Sequence, residues 1–437
     1  MSKQSKTGHQ ENMLSPNLPP HWKRRKQRYA YRAVRSGNWG EDPQGEGRDI
    51  ACLRISDFDK DRLRVKRQER AVRSMRYGQP QDYVLSVPSL LLERSGGAQG
   101  VPVGKVVLYD QDERAGISNF IVALEPAPAN DEKYLLFQHR DLYLTGRVRR
   151  AASHTHGIQN LDIGAYLDED VPWPPYKEQQ AIGQELDEKH QQLHTLHTLR
   201  MHQKSLLQER YDARMQMLLT GQRPQDENAP HAASEHWEKR LPPNWTLERL
   251  PALVEIDTGE AFAASTFQKS GMPVARLSDL HHETLNHDEC AHIDASRVPA
   301  NACAQKGDLL MALTSSVGQV SRVAAGPVAV NQRVARLRPK AGEDAFLTAF
   351  LQSAMFKAHA ERLAAATGGM ANLSLQALRR MVVPWPPPLL RARLGQQLYH
   401  EKVHFDALMR ALDCAGALHQ ERFGCVIHRR IHGIAQS

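Results

Sequence analysis

Cysteine is scarce in this chain: Cys52, Cys290, Cys303, Cys414 and Cys425 are the only five in 437 residues, far apart and never in a CxxC pair. An odd, scattered set argues against a disulfide framework and against a structural zinc site, so reduced thiols packed mostly in cores are expected. Long apolar runs are missing too: no stretch reaches 18 residues, which excludes an ordinary membrane-spanning helix. Residues 1–17, MSKQSKTGHQENMLSPN, lack the apolar centre of a secretory signal and read as a polar tail, making the cytoplasm the expected compartment.

Catalytic signatures are equally thin. Gly104-Lys105-Val106 resembles the end of a P-loop, but Gln99 stands at the first glycine position and no Ser or Thr follows the lysine. Trp173-Pro174-Pro175-Tyr176 is one residue away from the Asn/Asp-Pro-Pro-Tyr motif with which amino-methyltransferases hold a flipped adenine. An indole offers only a donor and a flat face where that motif needs an oxygen acceptor. His154, His156, His281 and His282 form a local surplus of imidazoles without a second ligand cluster at metal spacing, and read as solvated loop residues. No carboxylate-lysine cluster marks a nuclease centre. The expectation is therefore no catalytic, cofactor-binding or metal residue.

What is present is length for two or more domains, 41% hydrophobic and 24% charged residues, and a net charge of +8 that favours a polyanionic partner. Above all, the chain is written twice. Leu18-Pro19-Pro20-His21-Trp22 recurs as Leu241-Pro242-Pro243-Asn244-Trp245, and Arg54-Ile55-Ser56-Asp57 as Arg276-Leu277-Ser278-Asp279, at offsets of 223 and 222. Val171-Pro172-Trp173-Pro174-Pro175 returns as Val383-Pro384-Trp385-Pro386-Pro387, Asn160-Leu161 as Asn372-Leu373, and Gln208-Glu209-Arg210 as Gln420-Glu421-Arg422, all at 212. Ordered matches with a single shift indicate a tandem duplication.

Each copy begins with residues of mixed composition whose short apolar runs, such as Val103–Tyr109 and Val328–Val330, read as strands beside Gly and Pro turns. A prolyl segment then closes the domain, and a long helix follows. The fold class expected is α+β, a duplicated globular domain plus long helix. The divisions are a tail over 1–17, a first domain over 18–175, a helix over 176–220, a linker over 221–240, a second domain over 241–387 and a helix over 388–430. A heptad frame puts Ile182, Leu186, Leu193, Leu196 and Leu207 on one seam, and Leu394, Leu398, Phe405, Leu408 and Leu412 on its counterpart. Polar residues interrupt both seams, so the helices are expected to bury them against each other as an antiparallel coiled coil.

The plan resembles the DNA-specificity subunit family of type I restriction-modification systems, which carries two target-recognition domains separated by helical spacers. LPPNWTLERLPALVEIDTG, RLSDL, Gly307-Asp308-Leu309-Leu310, Thr314-Ser315-Ser316-Val317-Gly318, Val330-Asn331-Gln332 and Ala349-Phe350-Leu351-Gln352-Ser353 resemble a recognition domain in family order. Glu178-Gln179 stands where many members carry Glu-Gln at the junction to the spacer, whereas Pro387-Pro388-Leu389-Leu390-Arg391 lacks that pair. The resemblance implies a non-catalytic subunit that reads a bipartite, asymmetric duplex target. Two methyltransferase subunits would bring S-adenosylmethionine, and motor-nuclease subunits would bring ATP and Mg2+. A helical scaffold, or the specificity subunit of a related type II-like or phage-defence system, is the alternative.

Affinity for duplex DNA comes mainly from Lys and Arg on phosphates, and base readout from side chains with paired donors or acceptors. In the first domain Arg64, Lys66, Arg67, Arg70, Arg73 and Arg76 are the candidates for phosphates, with Arg94, Ser95 and Lys105 near a Gly-rich loop. In the second, Thr314, Ser315, Ser316, Gln319 and Arg322 lie on a turn-rich segment, with Gln332 and Arg333 beside it.

Overall fold

A computed structural model of the chain describes residues 18–45, 47–75, 84–96, 101–155, 158–221, 241–342, 344–365 and 372–434. The polar tail, most of the linker and Arg76 lie outside them. The chain divides into two compact units that ignore the linear order: one holds residues 1–201 with 412–437, the other 202–411. Each unit therefore owns one globular domain, the start of the helix that follows it and the end of the other long helix.

In the first unit a six-stranded sheet runs in the order Tyr31–Ser36, Ile121–Pro126, Ser89–Glu93, Val106–Tyr109, Arg64–Val65, Phe58–Asp59. Leu90, Leu92, Val122 and Leu124 face one core and Leu91, Ile121 and Ala123 face another, the two-residue alternation of a sheet buried on both sides. Helix α1 (Glu132–Leu144), capped by Asp131 accepting from the Tyr134 amide, covers one face. The repeated prolyl motif is structural: Lys23–Lys26 pairs antiparallel with Asp170–Trp173, so the domain's first and last strands tie it shut.

Helix α2 (Tyr176–Thr220) follows. In the second unit Thr246–Arg249 pairs in the same way with Val382–Trp385. A four-stranded sheet, Val254–Thr258, Val334–Pro339, Leu309–Ala312, Val320–Arg322, repeats the first four positions of the six-stranded one. Helix α3 (Ala345–Leu351), capped by Asp344, occupies the place of α1, and α4 (Pro388–Ile431) that of α2. Among the described residues no helix is long and apolar enough to cross a membrane.

The long helices pair antiparallel in both units. In the first, His190 stacks on Phe423 and Glu185 pairs with Arg430, while Arg200 reaches His419 at 2.9 Å. In the second, Tyr211 stacks on Phe405 at 4.2 Å between centroids, and Arg214 bonds Glu401 at 3.1 Å. The expected heptad seam needs correction, however. Leu196 and Leu408 are exposed at 49% and 38%, and Leu193, Leu207, Leu394, Phe405 and Leu412 are half-buried. Ile182, Leu186 and Leu398 are buried, but inside the cores of the domains. Burial concentrates where a domain adds a third wall: Met215 and Leu219 of α2 enter the second core, and Ile427 and Ile431 of α4 the first.

Two glycines show how closely the helices approach. A Cβ on Gly183 of α2 would sit 2.4 Å from the Asp131 carboxylate and 2.6 Å from the Tyr134 amide; one on Gly395 of α4 would sit 3.1 Å from Ala345 and Phe346.

Candidate nucleic-acid interface

The two domains build one edge from the same backbone bonds. In the first, Gly37 donates to Ile121, Asn38 to Ile117, Arg94 to Phe120 and Leu161 to Arg94. In the second, Gly259 donates to Val334, Glu260 to Val330, Leu313 to Arg333 and Leu373 to Leu313. Glycine is required at the pivot, since a Cβ would lie 2.1 Å from the Ser118 carbonyl at Gly37 and 1.9 Å from that of Val330 at Gly259. Three loops meet there in each domain, and they carry different side chains.

In the second domain Thr314 bridges to Asn372, and Ser315, Ser316, Gln332, Arg333, Glu260 and Asn372 are all exposed. The edge thus gathers Thr314, Ser315, Ser316, Gln332 and Arg333, which the sequence placed 16 to 19 positions apart. Ser315 holds a left-handed φ of 60°, uncommon for a residue with a Cβ and characteristic of functional loops. The Thr314 hydroxyl is buried without a hydrogen-bond partner among the described residues. Gln319 and Arg322 instead line a cleft of about 1020 Å³ formed with α2 and α4 inside the same unit.

In the first domain the edge holds Arg94 and Ser95, whose hydroxyl donates to the Asn160 amide oxygen at 2.6 Å. It also holds Asn38, Asn119 and Phe120, all exposed, which the sequence reading missed. The repeat Ser36-Gly37 and Thr258-Gly259, at the offset of 222 shared with the Arg54 and Arg276 motif, was the available signal.

The basic stretch does not present one array. Arg64 is held by Asp110 at 3.1 Å and by Asp187 of α2 at 2.8 Å. Arg70 is buried against Glu113 and Gln111, while Arg73 pairs with Asp42 and lies over Trp39. Only Lys66 and Arg67 of the described members are exposed. The cause is local: Arg64–Val65 and Ala71–Ser74 are strands, and acidic neighbours claim the guanidinium groups. Lys105 is half-buried over the Tyr143 ring, and burial, with Lys60 nearby, holds its pKa below the usual lysine range.

Among the described residues, two groups of side chains have ligand atoms close enough to share a cation. His281, His282 and Glu289 are exposed; Asp141, His428 and His432 are largely buried. The second group was not visible in the sequence, because 287 residues separate Asp141 from His428. His156 and the His154 side chain lie outside the described residues.

No protein-family model and no curated protein matches the chain. Solved structures do. One chain of a structure describing complex assembly and conformational transition of the type I R-M system superposes with a TM-score of 0.70 at 15% identity, covering 96% of this chain and 100% of that one. The HsdS subunit from Thermoanaerobacter tengcongensis superposes with a TM-score of 0.52 at 16% identity, covering 96% and 99%. The chain has this fold: a duplicated α+β domain with long paired helices.

Proposed function

We propose that the chain is the DNA-specificity subunit of a type I restriction-modification complex, reading a bipartite, asymmetric duplex target without itself doing chemistry. The observation that carries this reading is the repeated edge: one backbone scaffold, presented twice, with different exposed amide, hydroxyl and guanidinium groups. Asn and Gln pair two bonds to adenine and Arg two bonds to guanine, so Asn38, Arg94 and Asn119 in one domain and Gln332, Arg333 and Asn372 in the other are suited to different half-sites. Lys66 and Arg67 add phosphate contacts.

The long helices take the part of a ruler, with lengths of about 65 Å from 44 to 45 residues at about 1.5 Å each. Their outward polar faces are the docking surface for two methyltransferase subunits, which supply S-adenosylmethionine; motor-nuclease subunits supply ATP and Mg2+ chemistry. The full chain with a partner methyltransferase, used to select from random duplexes, should enrich two short unlike motifs at one fixed spacing. Enrichment of nothing, or of one continuous motif, would overturn the proposal.

A further inference from the structure

The end of α4 returns to the first domain and brings two imidazoles onto a buried carboxylate. His428 and His432 lie four residues apart, on one face of the chain's last helical turn and the residue that follows it. Both reach Asp141 of α1, with His428 Nδ1 2.8 Å from Oδ1 and His432 Nε2 3.0 Å from Oδ2. The Asp141 and His432 side chains are 3% and 5% exposed, whereas that of His428 is 34% exposed. A carboxylate taken out of water needs charge compensation, and the side chains that bond it are these two rings. His432 Nδ1, the ring nitrogen turned away from Asp141, is buried with no partner among the described residues.

We infer that Asp141, His428 and His432 form a binding site for a divalent transition metal of the zinc class, fastening the end of α4 to α1. Two nitrogens and one carboxylate oxygen are a donor set that zinc takes in tetrahedral geometry, with bonds of about 2.0–2.2 Å and therefore ligand atoms roughly 3.3 Å apart. The three ligand atoms here lie within 4.8 Å of one another; each ring stands on its own oxygen of Asp141, so a metal is held either between both oxygens or with one ring turned toward its partner's oxygen. The rings bind as neutral tautomers, with lone pairs at His428 Nδ1 and His432 Nε2 toward the metal and protons on the far nitrogens. The exposed flank of His428 is the entry path and leaves room for water as fourth ligand. Glu289 in the His281 and His282 group is exposed at 45%, so that group lacks the buried carboxylate and serves as the internal control.

The test is a titration of the metal-free full-length chain with Co2+ and with Zn2+. One equivalent of Co2+ should give the visible absorption of a tetrahedral site, and Zn2+ should displace it and raise Tm. The His428→Ala and His432→Ala variants should each weaken binding at least tenfold, whereas the His281→Ala/His282→Ala double variant should bind as the unaltered chain does. On the unaltered chain, X-ray absorption of bound zinc should show two imidazole nitrogens with oxygen ligands, a readout independent of whether any variant folds. No stoichiometric binding, binding that survives loss of both His428 and His432, or binding lost with His281 and His282 would each overturn the inference.

Discussion

His190 and Lys402 stand at equivalent points of α2 and α4, and the two units treat them in opposite ways. His190 is buried, stacked on Phe423 at 5.6 Å and edge-on to Phe137. Burial, with Arg140 nearby, pushes its pKa down to about 4. Lys402 lies over the Tyr211 ring and donates to Glu283 at 2.7 Å and Asp406 at 2.9 Å. Burial works against that charge, yet the bonds to Glu283 and Asp406 outweigh it and raise the pKa. The same backbone position is thus served by a neutral aromatic contact in one unit and by an ion-pair network in the other. Duplication preserved the packing geometry and left the chemistry that fills it free to diverge.

That contrast can be broken most forcefully at a position where the units agree. Leu186 and Leu398 are equivalent, with exposures of 0% and 1% in their respective cores. Leu186→Ala and Leu398→Ala should each cost about 2–5 kcal/mol. In hydrogen exchange by mass spectrometry each loss should appear in its own unit; equal loss in both units from either variant would make them one cooperative body.

Acid should separate the units next. The folded pKa of His190 lies below the unfolded value of about 6.5, so the unfolded state binds more protons and stability falls as pH drops from about 6.5 to about 4. The loss is on the order of 2–3 kcal/mol, is complete below about pH 4 and belongs to the first unit. Lys402, with a raised pKa, keeps its contribution throughout that window and loses it only at strongly alkaline pH. Exchange protection factors, corrected for the slower intrinsic exchange in acid, should therefore fall for α1 and the end of α4 on acidification, and His190→Phe should remove most of that dependence. An unchanged profile in the variant would assign the pH effect to other groups.

The helix glycines come third. Gly183→Ala meets the Asp131 cap and the Tyr134 amide, and should destabilise by about 1–3 kcal/mol. Gly395→Ala meets only marginal contact at 3.1 Å and should cost under about 1 kcal/mol in the same chemical denaturation. The smallest effects on folding belong to the exposed edge. Asn119→Ala and Gln332→Ala should each change stability by less than about 0.5 kcal/mol while relaxing the enriched motif in one half-site only. Relaxation of both halves by one substitution would contradict independent readers.

The duplication, the α+β class and the two long helices were legible because the LPP-x-W motif leads into, and VPWPP contains, the matched pair of strands that close each domain. The helix contacts were less so, for a geometrical reason. A strict seven-residue frame drifts by about 20° per heptad on a straight helix. Four heptads beyond Ile182 and Leu394 the buried position has therefore moved from Arg210 to Tyr211 and from Arg422 to Phe423. Tyr211, Met215 and Leu219, like Phe423, Ile427 and Ile431, are the residues that meet the cores. The absence of Glu-Gln before α4 also has a physical reading: Gln179 bonds the Asp131 amide, while Arg391 at the equivalent place bonds the Asp344 carboxylate at 2.9 Å. The ion pairs that hold Arg64, Arg70 and Arg73 were not legible, because charge counted along a sequence does not reveal which acids fold against it.

The glycines that end the long helices carry a consequence for connectivity. Gly221 and Gly433 have left-handed φ values of 66° and 64°. A Cβ on Gly221 would strike Pro242, close to Trp245, and one on Gly433 would strike Pro19, close to Trp22. The prolyl entrance of each domain is thus the seat of a helix end. In the second unit a short stretch of chain joins the two; in the first they are the farthest-separated parts of the sequence and still meet identically. The same seat thus forms with and without a short covalent connection. A circular permutant opened within residues 222–240 and sealed between Ile434 and Leu18 would exchange which joint is covalent and keep every described contact.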